Sequence, residues 1–252
     1  MSDGRTAVVT GAGTGIGAAA AELLAAHGIA VALVGRRHRP LAAVAERILE
    51  VGGRSLVVPA DLSSPDAPIE VVERTIGAFG QLDVVVNNAA FIRTGSLDDA
   101  SPALVDEHYA TNVRGPLLLV RAALPHLRRS ACPAVVNVSS SVGSIVKPGN
   151  MLYGSTKATL EYLTRAWAYE LARDGIRVNC VAPGPVDTPI HATYADDLAA
   201  TYADLARRIP LGRMGAPADV AVWIWHLVAP DTTWTTGNVV HVDGGQVLGV
   251  PE

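Results

Sequence analysis

The sequence predicts an α/β fold, a doubly wound parallel sheet of about seven strands with helices on both faces, in a single domain. Short runs rich in β-branched residues alternate with longer stretches rich in Ala and Leu along the chain, and this alternation is typical of parallel sheets. The strand segments are nearly continuous apolar runs, as expected where helices cover both faces of a sheet. No linker or repeat divides the 252 residues, a length that α/β folds commonly fill with one domain.

The first half of the chain follows this alternation from its start. Runs of β-branched residues, which favour extended backbone, predict strands at 6–10, 30–35, 55–59 and 82–86. Runs of Ala and Leu, which favour helix, predict helices at 16–27, 41–51, 69–79 and 102–129. Each helix therefore serves as a crossover between two parallel strands.

The second half continues the alternation until one segment interrupts it. Strands are predicted at 134–138, 177–181 and 238–242, and helices at 153–172 and 217–228. The segment 189–213 fits no strand–helix unit, so we expect a substrate lid there. Because ligands of such sheets bind beyond the carboxyl ends of the strands, we expect one cleft to be formed by segments 10–17, 87–90, 139–141 and 183–188.

Composition narrows the classes of partner. The formal net charge of -4 and the pI near 6.0 give no reason to expect nucleic acid or an anionic membrane. The start lacks the apolar stretch of a signal peptide, and no apolar run is long enough to span a membrane. Cys132 and Cys180 have neither metal-site spacing nor a disulfide framework. We therefore expect a cytoplasmic protein that has no metal site and acts on a small molecule.

A glycine-rich turn joins the first strand to the first helix. Gly11, Gly13, Gly15 and Gly17 lie there in the pattern Thr-Gly-x-x-x-Gly-Ile-Gly. Glycines let the backbone approach a pyrophosphate, which the N–H groups and dipole of a helix N-terminus stabilise. A tight turn without a ligand is the alternative, and the position at the first strand–helix junction favours the dinucleotide.

Basic residues at the end of the second strand favour NADP(H) over NAD(H). NAD sites carry an acid about 20 residues beyond the glycines, but no acid lies between Glu22 and Glu46. Arg36 and Arg37 lie in this interval, and guanidinium groups suit a 2′-phosphate; a solvated basic turn is the alternative. Asp61, after the third strand, either accepts a hydrogen bond from the adenine amino group or caps the next helix.

Tyr153 and Lys157 are four residues apart in a predicted helix, so both side chains leave the same face. A free tyrosine has a pKa of about 10 and exchanges protons poorly at neutral pH, whereas a nearby ammonium group favours the phenolate. Lowering that pKa to near neutrality takes about 4 kcal/mol, which requires a partly desolvated site and a second positive charge. A surface contact on an amphipathic helix is the alternative.

Further motifs extend the pattern formed by the glycine turn and this pair. They are Asn87-Asn88-Ala89-Ala90, Ser140 at thirteen residues before Tyr153, and Asn179-x-Val-x-Pro-Gly-Pro-Val-x-Thr188. In this order and spacing the motifs resemble the short-chain dehydrogenase/reductase family over positions 6 to 245. The resemblance implies a Rossmann-like fold and an enzyme that interconverts a ketone or aldehyde and an alcohol by hydride transfer with NADP(H).

The resemblance also implies a role for each matching residue. Tyr153 is expected to be the general acid in reduction and the base in oxidation, with Ser140 holding the carbonyl oxygen. Lys157 is expected to bind the nicotinamide ribose and to lower the pKa of Tyr153, with the oxidised nicotinamide ring as the second positive charge. Asn112 is expected to kink its helix and hold a relay water. The expected cofactor-binding residues are Gly11, Gly13, Thr14, Gly15, Ile16, Gly17, Arg36, Arg37, Asp61, Leu62, Asn88, Ala89, Tyr153, Lys157, Pro183, Gly184, Val186 and Thr188.

The substrate end of the site is described less fully by these motifs. The family usually has glycine where this chain has Ala90, and a β-carbon there strains the backbone if φ is positive. No arginine or lysine is assigned to a substrate carboxylate or phosphate. Apolar side chains expected at the substrate, with ordinary packing as the alternative, are Phe91, Ile92, Val142, Ile145, Met151 and Tyr194.

The sequence leaves more than one alternative for the oligomeric state and for the reaction type. The family expectation is a homotetramer built on the helices 102–129 and 153–172 and on the final strand, with a dimer as the alternative. One alternative reaction is an epimerisation or elimination without net cofactor turnover. The other alternative function is a regulatory protein that senses NADP without turnover.

Overall fold

In the part of the chain that the structure describes, seven parallel strands form one sheet. The structure is a computed structural model that describes residues 4–189 and 197–249. Its strands are β1 (Thr6–Thr10), β2 (Ala30–Gly35), β3 (Ser55–Pro59), β4 (Val84–Asn87), β5 (Ala134–Val138), β6 (Arg177–Pro183) and β7 (Val239–Val242). Their order in the sheet is β3-β2-β1-β4-β5-β6-β7, which confirms the predicted fold class.

Helices connect and cover these strands. They are α1 (Gly15–Ala26), α2 (His38–Glu50), α3 (Ala67–Phe79), α4 (Pro102–Tyr109), α5 (Gly115–Leu127), α6 (Met151–Leu171), α7 (Leu198–Arg207) and α8 (Pro217–Val228). Within the ranges that the structure describes, no helix has both the length and the apolar character needed to cross a membrane.

Two features of the helices differ from the sequence prediction. A π-helical segment at Ala110–Arg114 divides the predicted helix 102–129 into α4 and α5. It is a wider turn, and such turns occur where side-chain bonds compete with the regular helical ladder. In addition, α7 lies inside the segment 189–213 that the sequence left without an element; a lid role for this segment stays a prediction.

An apolar core lies on each face of the sheet. On one face α1 packs against α8, with Leu24 and Ile224 fully buried. On the other face Leu119 of α5 belongs to a second core. Val84 of β4 faces the first core and Val85 the second, because successive side chains of a strand point to opposite faces. Burial of each such side chain contributes about 1.5–3 kcal/mol, so the sheet is a firm frame for the loops at its edge.

The order in which successive strands are added to the sheet reverses between β1 and β4. From β1 the chain proceeds outward through β2 to β3, and then returns to β4 on the other side of β1. Ligands of open α/β sheets bind at such a switch point, outside the carboxyl ends of the strands. Since β1 and β4 pair in parallel, the segments after Thr10 and after Asn87 leave the sheet side by side at this crevice.

Candidate active site

A cavity of about 750 Å³ occupies the crevice at the carboxyl ends of the strands. Nearly all of the predicted catalytic and cofactor-binding residues line this cavity. Gly17 and Asn112 do not line it and are buried behind its wall. The predicted residues that line it are Gly11, Gly13, Thr14, Gly15, Ile16, Arg36, Arg37, Asp61, Leu62, Asn88, Ala89, Ser140, Tyr153, Lys157, Pro183, Gly184, Val186 and Thr188.

The turn between β1 and α1 has a shape that requires glycine. Gly11 and Gly15 have positive φ angles of 66° and 55°, a conformation that other residues rarely adopt. A β-carbon on Gly17 would lie 2.3 Å from the Gly11 carbonyl oxygen, so only glycine lets α1 start this close to β1. Thr14, the N-cap of α1, makes no side-chain capping bond, and this leaves the helix N-terminus open to an anion in the cavity. The turn therefore fits a dinucleotide pyrophosphate.

Thr10 and Asn88 fasten the end of β1 to the end of β4. The Thr10 hydroxyl oxygen accepts hydrogen bonds from the N–H groups of Asn88 and Ala89, both at 2.9 Å. Asn88 Nδ2 in turn donates to the Thr10 carbonyl oxygen at 2.8 Å. Asn88 thus contributes by shaping the wall. Among the described residues only glycines have positive φ, so Ala90 is not strained by replacing the family's usual glycine.

The predicted basic cluster lies at the end of the cavity that follows β2 and β3. Arg36 and Arg37 are exposed and line the cavity after β2, whereas Arg39 belongs to α2 and does not line it. Asp61 also lines this end, and its Oδ1 accepts hydrogen bonds from the Ser63 N–H at 3.0 Å and the Ser63 hydroxyl at 2.8 Å. Asp61 closes this turn and caps no helix, because α3 begins later with Asp66 as its N-cap.

Three consecutive serines after β5 have different hydrogen-bonding states. Ser139 is buried and donates to Glu161 Oε1 at 2.8 Å, and Ser141 donates to Gln246 Oε1 at 2.7 Å. Ser140 accepts a long bond of 3.5 Å from the Val142 N–H, and its hydroxyl donates to no acceptor in the described part of the chain. The geometry therefore leaves Ser140 as the serine whose proton is available in the cavity, and its catalytic role stays a prediction.

Helix α6 packs closely against the serine turn. A β-carbon on Gly154 would lie 2.8 Å from the Val142 carbonyl oxygen, and one on Gly143 would lie 2.5 Å from Glu161 Oε1. These two glycines let the helix that carries Tyr153 approach the turn that carries Ser140. Both hydroxyl groups consequently line the same cavity.

Lys157 is the largest fully buried side chain of this region and lies beside the Tyr153 ring. Its Nζ is 5.5 Å from the ring centroid of Tyr153 and donates a 2.8 Å hydrogen bond to the Val138 carbonyl oxygen. Burial lowers the pKa of Lys157 to about 8, while the nearby Glu161 carboxylate acts to raise it. Near pH 7 the ammonium form still predominates, so the tyrosine has a fixed cation close by.

Glu161 is a buried charge that the sequence reasoning missed. It lies one turn after Lys157 on α6 and is 7% exposed, and its two oxygens accept hydrogen bonds from the hydroxyls of Ser139 and Ser144 at 2.8 and 3.4 Å. Glu161 therefore links the serine turn to α6 and partly offsets the cost of burying Lys157. Its i,i+4 spacing from Lys157 is a signal that the sequence contains.

Asn112 lies in the π-helical segment and is buried. Its Oδ1 accepts from the Phe91 N–H at 2.7 Å, and its Nδ2 donates to the Phe91 carbonyl oxygen at 2.8 Å and to Thr156 Oγ1 at 3.0 Å. These bonds tie the loop after β4 to α6 and account for the division of the long helix. The structure gives Asn112 a place beside the cavity wall, and its relay water stays a prediction.

Replacing Asn112 with Ala is expected to destabilise the protein by about 2–3 kcal/mol, because it removes three buried hydrogen bonds and leaves the Phe91 backbone groups without partners. Urea unfolding at pH 7 measures this difference. Asn150→Ala is the matched control, since Asn150 makes one exposed side-chain bond of 3.4 Å, and it is expected to change stability by less than about 0.5 kcal/mol. Equal effects of the two substitutions would contradict this account of Asn112.

At the end of the cavity that follows β4 and β5, some of the apolar side chains predicted at the substrate are present. Phe91, Ile92 and Val142 line it, whereas Ile145 and Met151 do not. Tyr194 lies outside the described residues. Two cations, Arg93 and Lys147, also line this end, although the sequence assigned no cation to a substrate anion. They belong to loops without a motif, and the one available signal was that Lys147 and Lys157 are the only lysines of the chain.

The described residues contain no set of side chains that could coordinate a metal ion. Across the described residues, His, Cys, Asp and Glu form no group of three or more that could hold a metal ion. Cys132 and Cys180 are both free thiols, and burial raises the pKa of Cys180 to about 12. Cys180 therefore stays protonated and packs as a small apolar residue.

Comparison with known proteins agrees with this geometry. A family model described as enoyl-(acyl carrier protein) reductase matches residues 11–246. The short-chain dehydrogenase/reductase FrzI of Cladobotryum sp is 36% identical over 249 residues, which cover 96% of this chain and 96% of that protein. A cis-4-hydroxycyclohexanecarboxylate dehydrogenase of Sinomonas cyclohexanicum is 37% identical over 242 residues, again 96% of each chain.

A solved structure shows the same fold with a cofactor. The crystal structure of a short chain dehydrogenase from Burkholderia cenocepacia J2315 in complex with NADP has a TM-score of 0.89 at 34% identity, and the match covers 96% of this chain and 98% of that chain. The sheet, the glycine turn and the cavity define an oxidoreductase that binds a nicotinamide dinucleotide. The chain belongs to the short-chain dehydrogenase/reductase family.

Proposed function

We propose that the protein interconverts a ketone or aldehyde and an alcohol with NADP(H), and that Tyr153 is the general acid and base. The observation that carries this proposal is the common cavity of Tyr153, Ser140 and Lys157 beside a glycine turn that fits a pyrophosphate. The named substrate of the Sinomonas relative, a cyclic hydroxy acid, supports a reaction between alcohol and carbonyl.

The cofactor assignment follows the layout of the cavity. The glycine turn and the α1 N-terminus bind the pyrophosphate, and Arg36 and Arg37 bind the 2′-phosphate that distinguishes NADP(H) from NAD(H). Asp61 and Leu62 border the adenine, and Asn88 and Ala89 border the dinucleotide after β4. Bound in this way, the nicotinamide supplies or accepts the hydride. Pro183, Gly184, Val186 and Thr188, which follow or end β6, border the nicotinamide side.

The chain's own residues move the proton and hold the reacting oxygen. In reduction the Tyr153 hydroxyl gives its proton to the carbonyl oxygen, and in oxidation the phenolate takes the proton back. Ser140 donates a hydrogen bond to the same oxygen, since its hydroxyl has no other acceptor among the described residues. The Lys157 ammonium stabilises the phenolate through its charge. Asn112 would hold a water that connects Lys157 to solvent.

Activity with uncharged ketones tests this function. Purified protein is mixed with NADPH and cyclohexanone or acetophenone, and the fall in nicotinamide absorbance at neutral pH is followed, with the reverse reaction measured on the alcohols. We expect turnover in both directions. Binding of NADPH without turnover of any ketone or alcohol would contradict the proposal and favour a sensing role, and conversion of substrate without net absorbance change would favour epimerisation or elimination.

Cofactor preference is expected to depend on Arg36. Arg36→Gln should raise the KM for NADPH about tenfold and change the KM for NADH little, because a charge-assisted bond to the 2′-phosphate is lost. Arg39→Gln is the matched control, since Arg39 is a neighbouring exposed arginine that does not line the cavity. Steady-state kinetics with both cofactors measure the ratio, and an unchanged ratio in Arg36→Gln would remove the basis for choosing NADP(H).

We also propose a cytoplasmic homotetramer, with a homodimer as the alternative. Apolar and aromatic side chains are exposed on the elements expected to form the contacts: Leu117 on α5, and Tyr162 and Tyr169 on α6 with 66% and 88% of their surfaces exposed. Exposed side chains of this kind on these two helices support a surface that a second copy covers. Light scattering of the purified protein measures the assembly size.

A further inference from the structure

Positive charge is concentrated in the cavity beyond what the cofactor assignment uses. Among the described residues that line it, five are cationic and Asp61 is the single acid. Arg36, Arg37 and Asp61 follow β2 and β3 at the adenosine end, and Lys157 lies beside Tyr153. The remaining cations, Arg93 and Lys147, follow β4 and β5, on the side of the switch point that carries Ser140 and Tyr153.

The two loops that carry these cations are joined to each other. Gly95 and Asn150 form an isolated parallel bridge, and the Gly95 N–H donates to the Gly149 carbonyl oxygen at 2.9 Å. The Asn150 N–H donates to the Lys147 carbonyl oxygen at 3.1 Å, and the Arg93 N–H donates to Nε2 of the buried His108 at 3.3 Å. The backbones of Arg93 and Lys147 are therefore held at one rim of the cavity.

Neighbouring acids are already engaged by other groups. Asp204 on α7 forms ion pairs with Arg207 at 3.3 Å and with Arg208 at 3.0 Å. Asp99, which borders Gly95, accepts from the Ser96 N–H at 2.7 Å and the Ser96 hydroxyl at 2.8 Å. Neither Arg93 nor Lys147 forms an ion pair within the parts of the chain that the structure describes. Partial desolvation and the Arg208 charge lower the pKa of Lys147, and the Asp204 charge acts against them.

We propose that the substrate of the reaction is an oxo acid or hydroxy acid whose carboxylate is bound by Arg93 and Lys147. The inference rests on the proposed function, because it places the carbonyl or alcohol carbon at Ser140 and Tyr153. Ile92, Val142 and Leu205, which line the cavity, contact an apolar carbon skeleton between the two polar ends. A planar guanidinium and an ammonium together match a carboxylate in charge and in hydrogen-bond donors.

A pair of substrates that differ in charge and by one methyl group tests the inference on the unmodified enzyme. The probes are 4-oxocyclohexanecarboxylate and its methyl ester, with NADPH saturating and cyclohexanone as the reference ketone. We expect kcat/KM for the acid to exceed that for the ester by about tenfold at low salt. That ratio should fall as NaCl is raised, since both cations are exposed and salt screens them. An ester that is reduced as well as the acid would overturn the inference.

Substitution of the two cations locates the effect. Lys147→Met and Arg93→Gln are each expected to lower the acid-to-ester ratio of kcat/KM about three- to tenfold, and the double variant more. Arg128→Gln is the control: Arg128 is an exposed arginine at the end of α5, paired with Asp174, and its loss should leave the ratio as in the wild type. A wild-type ratio in the double variant would overturn the assignment to these residues.

The outcomes separate this inference from the proposed function. If cyclohexanone, acid and ester all fail to be reduced, the proposed function fails. If cyclohexanone is reduced and the acid has no advantage over its ester, the oxidoreductase function stands and the carboxylate site does not exist. Should a variant fail to fold, the salt dependence of the wild-type ratio still decides between a charged and an uncharged substrate.

Discussion

Tyr153→Phe is expected to lower kcat by about 10²–10⁴-fold, the range in which a positioned general acid or base acts. The substitution removes one oxygen atom and keeps the ring that lies 5.5 Å from Lys157 Nζ, so the packing of α6 against the serine turn should be preserved. The dissociation constant for NADPH should therefore change little. Stopped-flow or steady-state absorbance measures the loss of turnover, and fluorescence titration measures NADPH binding.

Tyr162→Phe is the matched control for this experiment. It removes the same hydroxyl from the same helix at a position outside the cavity, and it keeps the aromatic ring that we expect at the subunit contact, so we expect wild-type kinetics. Turnover within about threefold of wild type in Tyr153→Phe would exclude this residue as the proton donor. A variant that neither turns over nor binds NADPH would instead show that the hydroxyl supports the site's structure.

The central sheet could be predicted from the sequence because its strands are buried on both faces. β2 and β5 have the predicted limits, and their residues from Ala30 to Val34 and from Ala134 to Val138 are all buried. A strand of this kind appears as an uninterrupted apolar run, which polar turn residues limit at both ends. The position of the cleft could be predicted from the same apolar runs, because parallel strands place their carboxyl ends on one edge of the sheet.

The division of the long helix at Asn112 could not be predicted from periodicity. The π-helical segment depends on three bonds to Phe91 and Thr156, which are distant in sequence and become neighbours only through the fold. The resemblance to a family suggested a kink at this residue, but the apolar pattern of 102–129 continues through it. Tertiary hydrogen bonds thus overrode the local helical pattern.

Sequence patterns did not indicate the cations Arg93 and Lys147 in the cavity, for a related reason. Arg93 and Lys147 lie in irregular loops 54 positions apart, and the bridge between Gly95 and Asn150 brings those loops together. Loops carry specificity on a scaffold whose frame is shared by many proteins. Sequence motifs therefore predicted the residues that we propose for hydride and proton transfer, while the cations that we propose for substrate binding required the three-dimensional arrangement.

Lys157→Met is expected to abolish most activity and, at neutral pH, to relieve an electrostatic cost of folding. The pKa of Lys157 falls from 10.5 to about 8 on burial, which corresponds to about 3 kcal/mol of free energy disfavouring the charged folded state. Below pH 8 both folded and unfolded protein carry the proton, so this cost is fully present. Loss of the bond to the Val138 carbonyl oxygen acts against the gain by about 1–3 kcal/mol at every pH.

The pH dependence separates these two effects. Between about pH 8 and 10.5 the unfolded chain holds the Lys157 proton and the folded chain has lost it, so the wild type gains stability as pH rises through this window. Lys157→Met lacks this gain, and its stability relative to wild type should therefore fall by about 3 kcal/mol from pH 7 to pH 10.5.

Urea unfolding of both proteins across this range measures the difference. Lys147→Met, which replaces an exposed lysine, is expected to show a smaller change. A pH-independent difference would mean that Lys157 is not buried as a cation. The charge that the proposed mechanism places beside Tyr153 would then be absent as well.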